Sequence, residues 1–387
     1  MFDLHLARKR GKIIAVADIG SGSAAFAVVA IKAGKPAQLL TAERSVLPLE
    51  ERAKEATVAA LGDQLVQAGQ KVLRSYAQSG KKVAPIDKVY CIIRAPWSRS
   101  RSVQAMGSFP EPRVITGQMI STLAKHALDD EQELDKQQIL EAAVVRVELN
   151  GYETREPEKK VAQRVSVSAL VSDCDAGIRA AAAQALSTLV PHLPVVYRSS
   201  TRALLSALHG LPNHEEDHLI IEIGSGGSNL TTVRDGEIGE QRTVPEGVAS
   251  ILKRLAPTGM PEETRALVRM VDNDQCSTTA CEEIQAAMAK IEPELVRSFA
   301  EGMAACAVQR KLPTNLMLVV QADFIPWLSK FFTRIDFTQF TATTQPFSVK
   351  VLTVAELSGA VVPAEHMILD AGLALSVALV NREENGA

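Results

Sequence analysis

Aromatic residues are scarce, at 4% of a 387-residue chain. That is too few for the stacked aromatic platforms that hold single-stranded nucleic acid. Charge of one sign is also lacking: 42 basic side chains face 45 acidic ones, a net charge of −3. No basic field exists to attract a polyanion, so a nucleic-acid partner is excluded. No apolar run reaches the roughly 18–20 residues that span a bilayer. Cysteine is sparse, and Cys91, Cys174, Cys276, Cys281 and Cys306 form no CxxC pair. An odd number in apolar settings reads as buried free thiols in a reducing compartment, not as disulfides or a metal site. Cys276 and Cys281 read as helix packing. His192, His209, His214 and His218 lie at spacings that do not share one helix face, which argues against a histidine metal site. The N-terminal residues 1–12 place basic side chains before an apolar run, as a signal peptide does, but Asp18 and two glycines break that run into a first strand. The chain therefore reads as cytoplasmic. Its tip reads as a frayed end, with weak membrane or partner contact through Phe2, Leu4 and Leu6 beside Arg8, Lys9 and Arg10 as the alternative.

What is present is ordinary globular composition, 46% hydrophobic and 22% charged, long enough for two or three domains. One stretch organises the rest: HLIIEIGSGGSNLTTVRDGEIG at 218–239. An apolar run carries one acid, Glu222, breaks into Gly224, Ser225, Gly226, Gly227 and Ser228, resumes as a strand, and turns again at Asp235-Gly236. Glycines at 224, 226 and 227 are expected to allow φ > 0 and to bare backbone amides that can cradle a phosphate. The pattern occurs once earlier, about 200 residues upstream, as IIAVADIGSGSAAFAVVAI at 13–31. There Asp18 stands where Glu222 stands later, before Gly20, Ser21, Gly22 and Ser23. Two copies imply a duplicated α/β fold with one turn facing the other across a cleft.

Taken in order, 37–47 reads as a third strand and 51–79 as a helix, with Val58, Leu61, Leu65, Val66 and Leu73 at helical spacing. Residues 86–175 have another texture: a strand at IDKVYCIIRAP, a helix near 116–128, and paired strands with a tight turn at Asn150-Gly151. This makes an α+β insertion. Within it Ser98, Arg99, Ser100, Arg101 and Ser102 read as a polar, basic loop at a solvated edge, with partner contact as the alternative. The expected division is a first-lobe core at 1–85 and 176–215, the insertion at 86–175, a second-lobe core at 216–256 and 313–387, and a helical subdomain at 257–312. The final residues, NREENGA, read as loose.

This order of elements resembles the actin-like ATPase superfamily, a ribonuclease H-like duplication with two lobes around a nucleotide cleft. DIGSGS at 18–23 matches its first phosphate loop and EIGSGGS at 222–228 its second. LMLVVQADFIPWL at 316–328 is similar to its adenosine region, and LDAGLALSVAL at 369–379 to its closing small-residue helix. The insertion sits where the FtsA/PilM type carries an extra subdomain. The end at NREENGA, without an amphipathic helix, favours the PilM side.

The resemblance implies ATP between the two glycine turns, with Asp18 and Glu222 positioning Mg²⁺ through water. It implies cofactor contacts from both turns and from Gln321. Two adjacent glycines are usual in the adenosine region, and Val320 and Gln321 replace them, placing methyls where the base or ribose would lie. The pattern therefore implies a degenerate site and, at most, a weak ATPase. The function implied is a cytoplasmic scaffold, peripheral to the inner membrane, docking the cytoplasmic tail of a pilus or division protein and able to self-associate. An active ATPase or kinase of the superfamily is the alternative.

Overall fold

Residues 14, 16 and 18 of IIAVADI must point to one side of a strand and 15, 17 and 19 to the other. Both sets are buried, so this strand has to lie inside a sheet covered on both faces. The computed structural model, which describes residues 11–48, 50, 52–79, 84–211, 217–364, 367 and 369–386, places it so. The N-terminal tip and His214 lie outside the described residues.

Strands β1 (Lys12–Ile19), β2 (Ser23–Ile31) and β3 (Ala37–Val46) run antiparallel in succession. Helix α1 (Lys54–Gln78) buries Leu61, Leu65 and Val72 against them. β4 (Lys88–Ile93) then adds parallel to β1. It belongs to this first sheet and not to the insertion expected from residue 86, because VYCII is buried on both faces and needs neighbours on both edges.

The inserted sheet begins with β5 (Ser98–Val114), continues through helix α2 (Gly117–Asp130), β6 (Ile139–Leu149), β7 (Tyr152–Glu153) and β8 (Val161–Cys174), and is ordered β5-β8-β6-β7. Ile120 and Ala127 of α2 cover Val165, Val167, Ala169 and Val171 of β8. The β6–β7 turn uses Asn150 and Gly151 at φ 52° and 88°, as its dipeptide predicts. SRSRS at 98–102 is no solvated loop. It is the start of β5, with Ser98 and Ser100 buried while Arg99 and Arg101 pair outward with Asp173 and Glu133. The alternation has the strand period of two.

α3 (Ala176–Leu189), β9 (Val195–Ser199) and α4 (Ser200–Leu208) complete the first lobe, β9 lying parallel to β4. The pattern then repeats. β10 (His218–Ile223), β11 (Ser228–Arg234) and β12 (Glu237–Val244) run antiparallel, the last two joined by Asp235-Gly236 at φ 50° and 75°. Helices α5 (Val248–Leu255), α6 (Pro261–Asp272) and α7 (Thr279–Cys306) follow. β13 (Asn315–Val319), α8 (Ile325–Arg334) and β14 (Ser348–Val351) close the second sheet, ordered β12-β11-β10-β13-β14. The first sheet reads β15-β3-β2-β1-β4-β9, where β15 is Val361–Pro363. Beyond β15, each sheet has three antiparallel strands and then two parallel ones, in the same order. This is the duplicated actin-like arrangement of two lobes.

Three expectations need correction. β15 pairs with β3, and α9 (Ala371–Asn385) packs on α4, β1 and β2, so the end of the chain returns to the first lobe. NREEN is not loose but the last turns of α9: Glu383 binds Arg198 and Arg202, and Glu384 binds Lys12, Lys88 and Tyr90. Cys276 and Cys281 are not free thiols but a disulfide, while Cys91, Cys174 and Cys306 are free and buried. A separation of five residues across a helix start brings the two Cα atoms to 6.1 Å, within bridging range.

Glu384 supplies a pH-dependent tie between α9 and the first sheet. Burial pushes its carboxyl up, but hydrogen bonds from Lys12, Lys88 and Tyr90 win and hold it down at about 2. Its contribution is therefore complete above its ordinary value near 4.5 and is lost as pH falls toward 2. Glu384→Gln should cost about 1.5–3 kcal/mol at neutral pH, the range for hydrogen bonds to a charged group. That difference should shrink below pH 4.5 in denaturant midpoints taken across a pH series.

Candidate functional site

The same alternation that buries β1 and β10 aims their acids. Asp18 shares a face with Ile14 and Val16, and Glu222 with Ile220, and these apolar residues belong to one core lying between the two sheets. Both acids are buried, Asp18 completely and Glu222 to 9% exposure. The two glycine turns follow them directly, so acids and turns from both lobes meet as the duplication implies.

They meet around a residue that the motifs do not include. Arg94 follows β4, and its N–H donates to the carbonyl of Ile19 at 2.9 Å, setting it beside the end of β1. Its Nε and Nη2 donate to the Asp18 carboxylate at 2.9 and 2.6 Å. Nη1 donates to Glu222 Oε1 at 2.5 Å, and Nη2 also reaches the carbonyl of Gly372 at 2.6 Å. Ser376 of α9 donates to Asp18 at 2.5 Å. Arg44 of β3 adds a second cation, donating to Asp370 at 2.9 Å, Ser23 Oγ at 3.0 Å and Asp18 at 3.3 Å. Burial alone would push the Asp18 carboxyl up, but Arg94 and then Arg44 hold it well below the usual carboxylate range. Burial likewise works against the charge on Arg94, and Asp18 and Glu222 outweigh it, so the guanidinium stays protonated.

The two turns touch. Ser21 Oγ accepts from the N–H of Gly226 at 2.8 Å. A Cβ on Gly22 would stand 2.6 Å from Ser225 Oγ, and one on Gly224 2.9 Å from Ser21 Oγ. None of Gly20, Gly22, Gly224, Gly226 and Gly227 takes φ in the left-handed region, so the expected conformational reason is replaced by close approach. Trp97 Nε1 donates to the carbonyl of Gly20 at 2.9 Å. Ser228 Oγ donates to the carbonyl of Glu246. The first amides of α5, at Val248 and Ala249, donate to the carbonyls of Gly224 and Ser225, both at 2.9 Å. Helix N-terminal donors of this kind would otherwise be available to an anion.

Just past β13, Val320 is buried among the residues of the second-lobe core. Gln321 lies just past β13 with its Oε1 buried and without a protein partner, as is Glu222 Oε2. Among the described residues, no group of three or more His, Cys, Asp or Glu side chains could hold a metal ion.

A magnesium nucleotide does not fit this arrangement. Asp18 is taken up by Arg94 and Ser376, Glu222 gives one oxygen to Arg94, one turn amide is bonded by Ser21, and the two glycine turns are in contact. Arg94, Arg44 and Trp97 escaped the motif reading, and Asp370 and Ser376 entered it only as part of the closing small-residue helix. One signal was available for Arg94: two acids on buried strands require a cation, and an arginine directly ends the buried run VYCII.

No protein-family model matches the chain, and no curated protein matches it. Among solved structures it is similar to a chain of the PilM–PilN type IV pilus biogenesis complex, with 14% identity, a TM-score of 0.57, and coverage of 97% of this chain and 98% of that one. It is also similar to the ethanolamine utilization protein EutJ from Carboxydothermus hydrogenoformans, at 10% identity and a TM-score of 0.42, covering 95% and 89% of the two chains. That second superposition is too loose to bear on function. Among the described residues, no helix is long and apolar enough to cross a membrane. The repeated sheet order and the superposition over nearly the whole chain show that this chain has the actin-like fold, shared with the similar chain of the PilM–PilN complex.

Proposed function

We propose that the protein is an actin-fold scaffold that docks the cytoplasmic tail of a membrane-anchored pilus protein at the seam between its insertion and its first lobe. The observation that carries this reading is a cavity of about 400 Å³ at that seam, lined by Trp97, Arg99, Asp135, Gln138, Asp173 and Asp175. Asp173 there is paired with Arg99 and Asp175 with Lys54, which leaves Asp135 as the carboxylate that a basic residue of a short peptide would meet. The neighbouring solved structure is itself a complex of PilM with PilN.

Capture of a synthetic tail peptide by the full chain tests this. Asp135→Arg, which reverses a charge at the cavity, and Gln138→Arg, which adds a positive one beside it, should each weaken capture of a basic peptide about tenfold or more. Glu148→Arg and Glu237→Arg, at the separate cavity of about 500 Å³ between the insertion and β12, should leave it unchanged. The opposite pattern would reject the seam. Point variants are needed because deleting 86–175 would also remove β4 from the middle of the first sheet.

A further inference from the structure

We infer that Arg94 is the resident cation of the interlobe cleft: its guanidinium joins the two lobes where a metal-bound nucleotide would otherwise be needed to join them. This concerns the cleft alone and stands or falls separately from docking at the insertion seam.

The geometry is a built one. A single planar fork meets acceptors from three segments: Asp18 on β1, Glu222 on β10 and the carbonyl of Gly372 in the first turn of α9. Planarity and fixed donor directions suit such bidentate contact better than an ammonium does. The fork is held from behind. Arg94 is tied by its N–H to Ile19, and Trp97, three residues on, is tied by its indole to Gly20. Space has been left for it, because a Cβ on Gly372 would lie 3.0 Å from Arg94 Nη2. Arg44 balances the remaining charge by bridging Asp18 and Asp370, the N-cap of α9. With Arg94 present, the carboxylates of the two lobes attract through a shared cation. Without it they face each other across a buried gap, and a divalent cation between them would replace that attraction.

The consequence is an inversion of cation dependence, and thermal melting of the full chain reads it. Wild-type protein, stripped of metal by chelation, should keep its melting temperature when Mg²⁺ or Mg²⁺-ATP is added at about millimolar concentration, since a ligand that does not bind the native state cannot stabilise it. Calorimetric titration should give no heat at the same concentration. Arg94→Ala should melt lower, and Mg²⁺ alone should raise its midpoint, with Arg94→Lys between the two because it keeps the charge and loses the fork. Asp18→Asn/Arg94→Met/Glu222→Gln, which removes all three charges, should recover most of the lost midpoint and ignore Mg²⁺. Should Arg94→Ala not fold, recovery of a folded triple variant carries the test by itself. Micromolar binding of Mg²⁺-ATP to the wild type, equal response of wild type and Arg94→Ala to Mg²⁺, or a triple variant no better than the single one would each overturn the proposal.

Discussion

Arg94→Met is expected to destabilise the protein by about 3–5 kcal/mol, the usual cost of removing one partner from a buried ion cluster. The cost comes less from lost attraction than from what is left behind. Asp18 is fully buried and Glu222 nearly so, and each would retain a charge with its main donor gone. Methionine fills similar volume, so little of the change would come from a void. Denaturant midpoints at neutral pH measure the difference. It should narrow in strong acid, because the stabilisation from a depressed carboxyl is complete above its ordinary pKa and disappears as pH falls toward the folded value. A loss below about 1 kcal/mol, typical of exposed pairs, would show that the cluster is hydrated and that Arg94 does not hold the lobes.

The second large effect is expected at Gly247, the residue before α5. A methyl there would lie 2.4 Å from both the amide nitrogen of Gly227 and the carbonyl oxygen of Ser225, and 2.8 Å from the carbonyl oxygen of Gly224. All three are backbone atoms of the second glycine turn, so no rotamer change relieves the clash. The start of α5 would have to lift away, stretching the bonds from Val248 and Ala249 to that turn. Gly247→Ala should therefore cost about 3 kcal/mol, at the upper end for overpacking. Gly359→Ala, where nothing lies within 4 Å, should fall within about 0.5 kcal/mol of wild type. If displacing the second turn also disturbs the first through the Ser21–Gly226 bond, the emission of Trp97, which is bonded to Gly20, should change in Gly247→Ala and not in Gly359→Ala.

Much of this arrangement was legible in the residues. The two strand-acid-glycine copies located both sheets, because strand alternation is local and an acid among alternating apolar residues must face wherever its neighbours face. Asn150-Gly151 and Asp235-Gly236 located two hairpin turns, since few dipeptides tolerate left-handed φ at both positions. The small residues around Gly372 signalled close packing, although what packs there is the Arg94 guanidinium rather than another helix alone.

Other features were set by non-local partners. SRSRS reads as a loop until β8 supplies Ser172 and Asp173 opposite it. NREEN reads as a loose end until Lys12, Lys88, Arg198 and Arg202 gather around its two glutamates. β4 looks like the first strand of the insertion until β1 and β9 flank it. The glycine turns, likewise, keep the same local spacing whether the cleft between them is open or shut. Order along the chain was enough to reveal the duplication, because hydrophobic period and turn chemistry act within a few residues. Whether the cleft holds a nucleotide or an arginine depends on side chains 76 and 128 positions apart meeting at one point. That meeting is settled by how the two lobes pack, and no spacing within either motif encodes it.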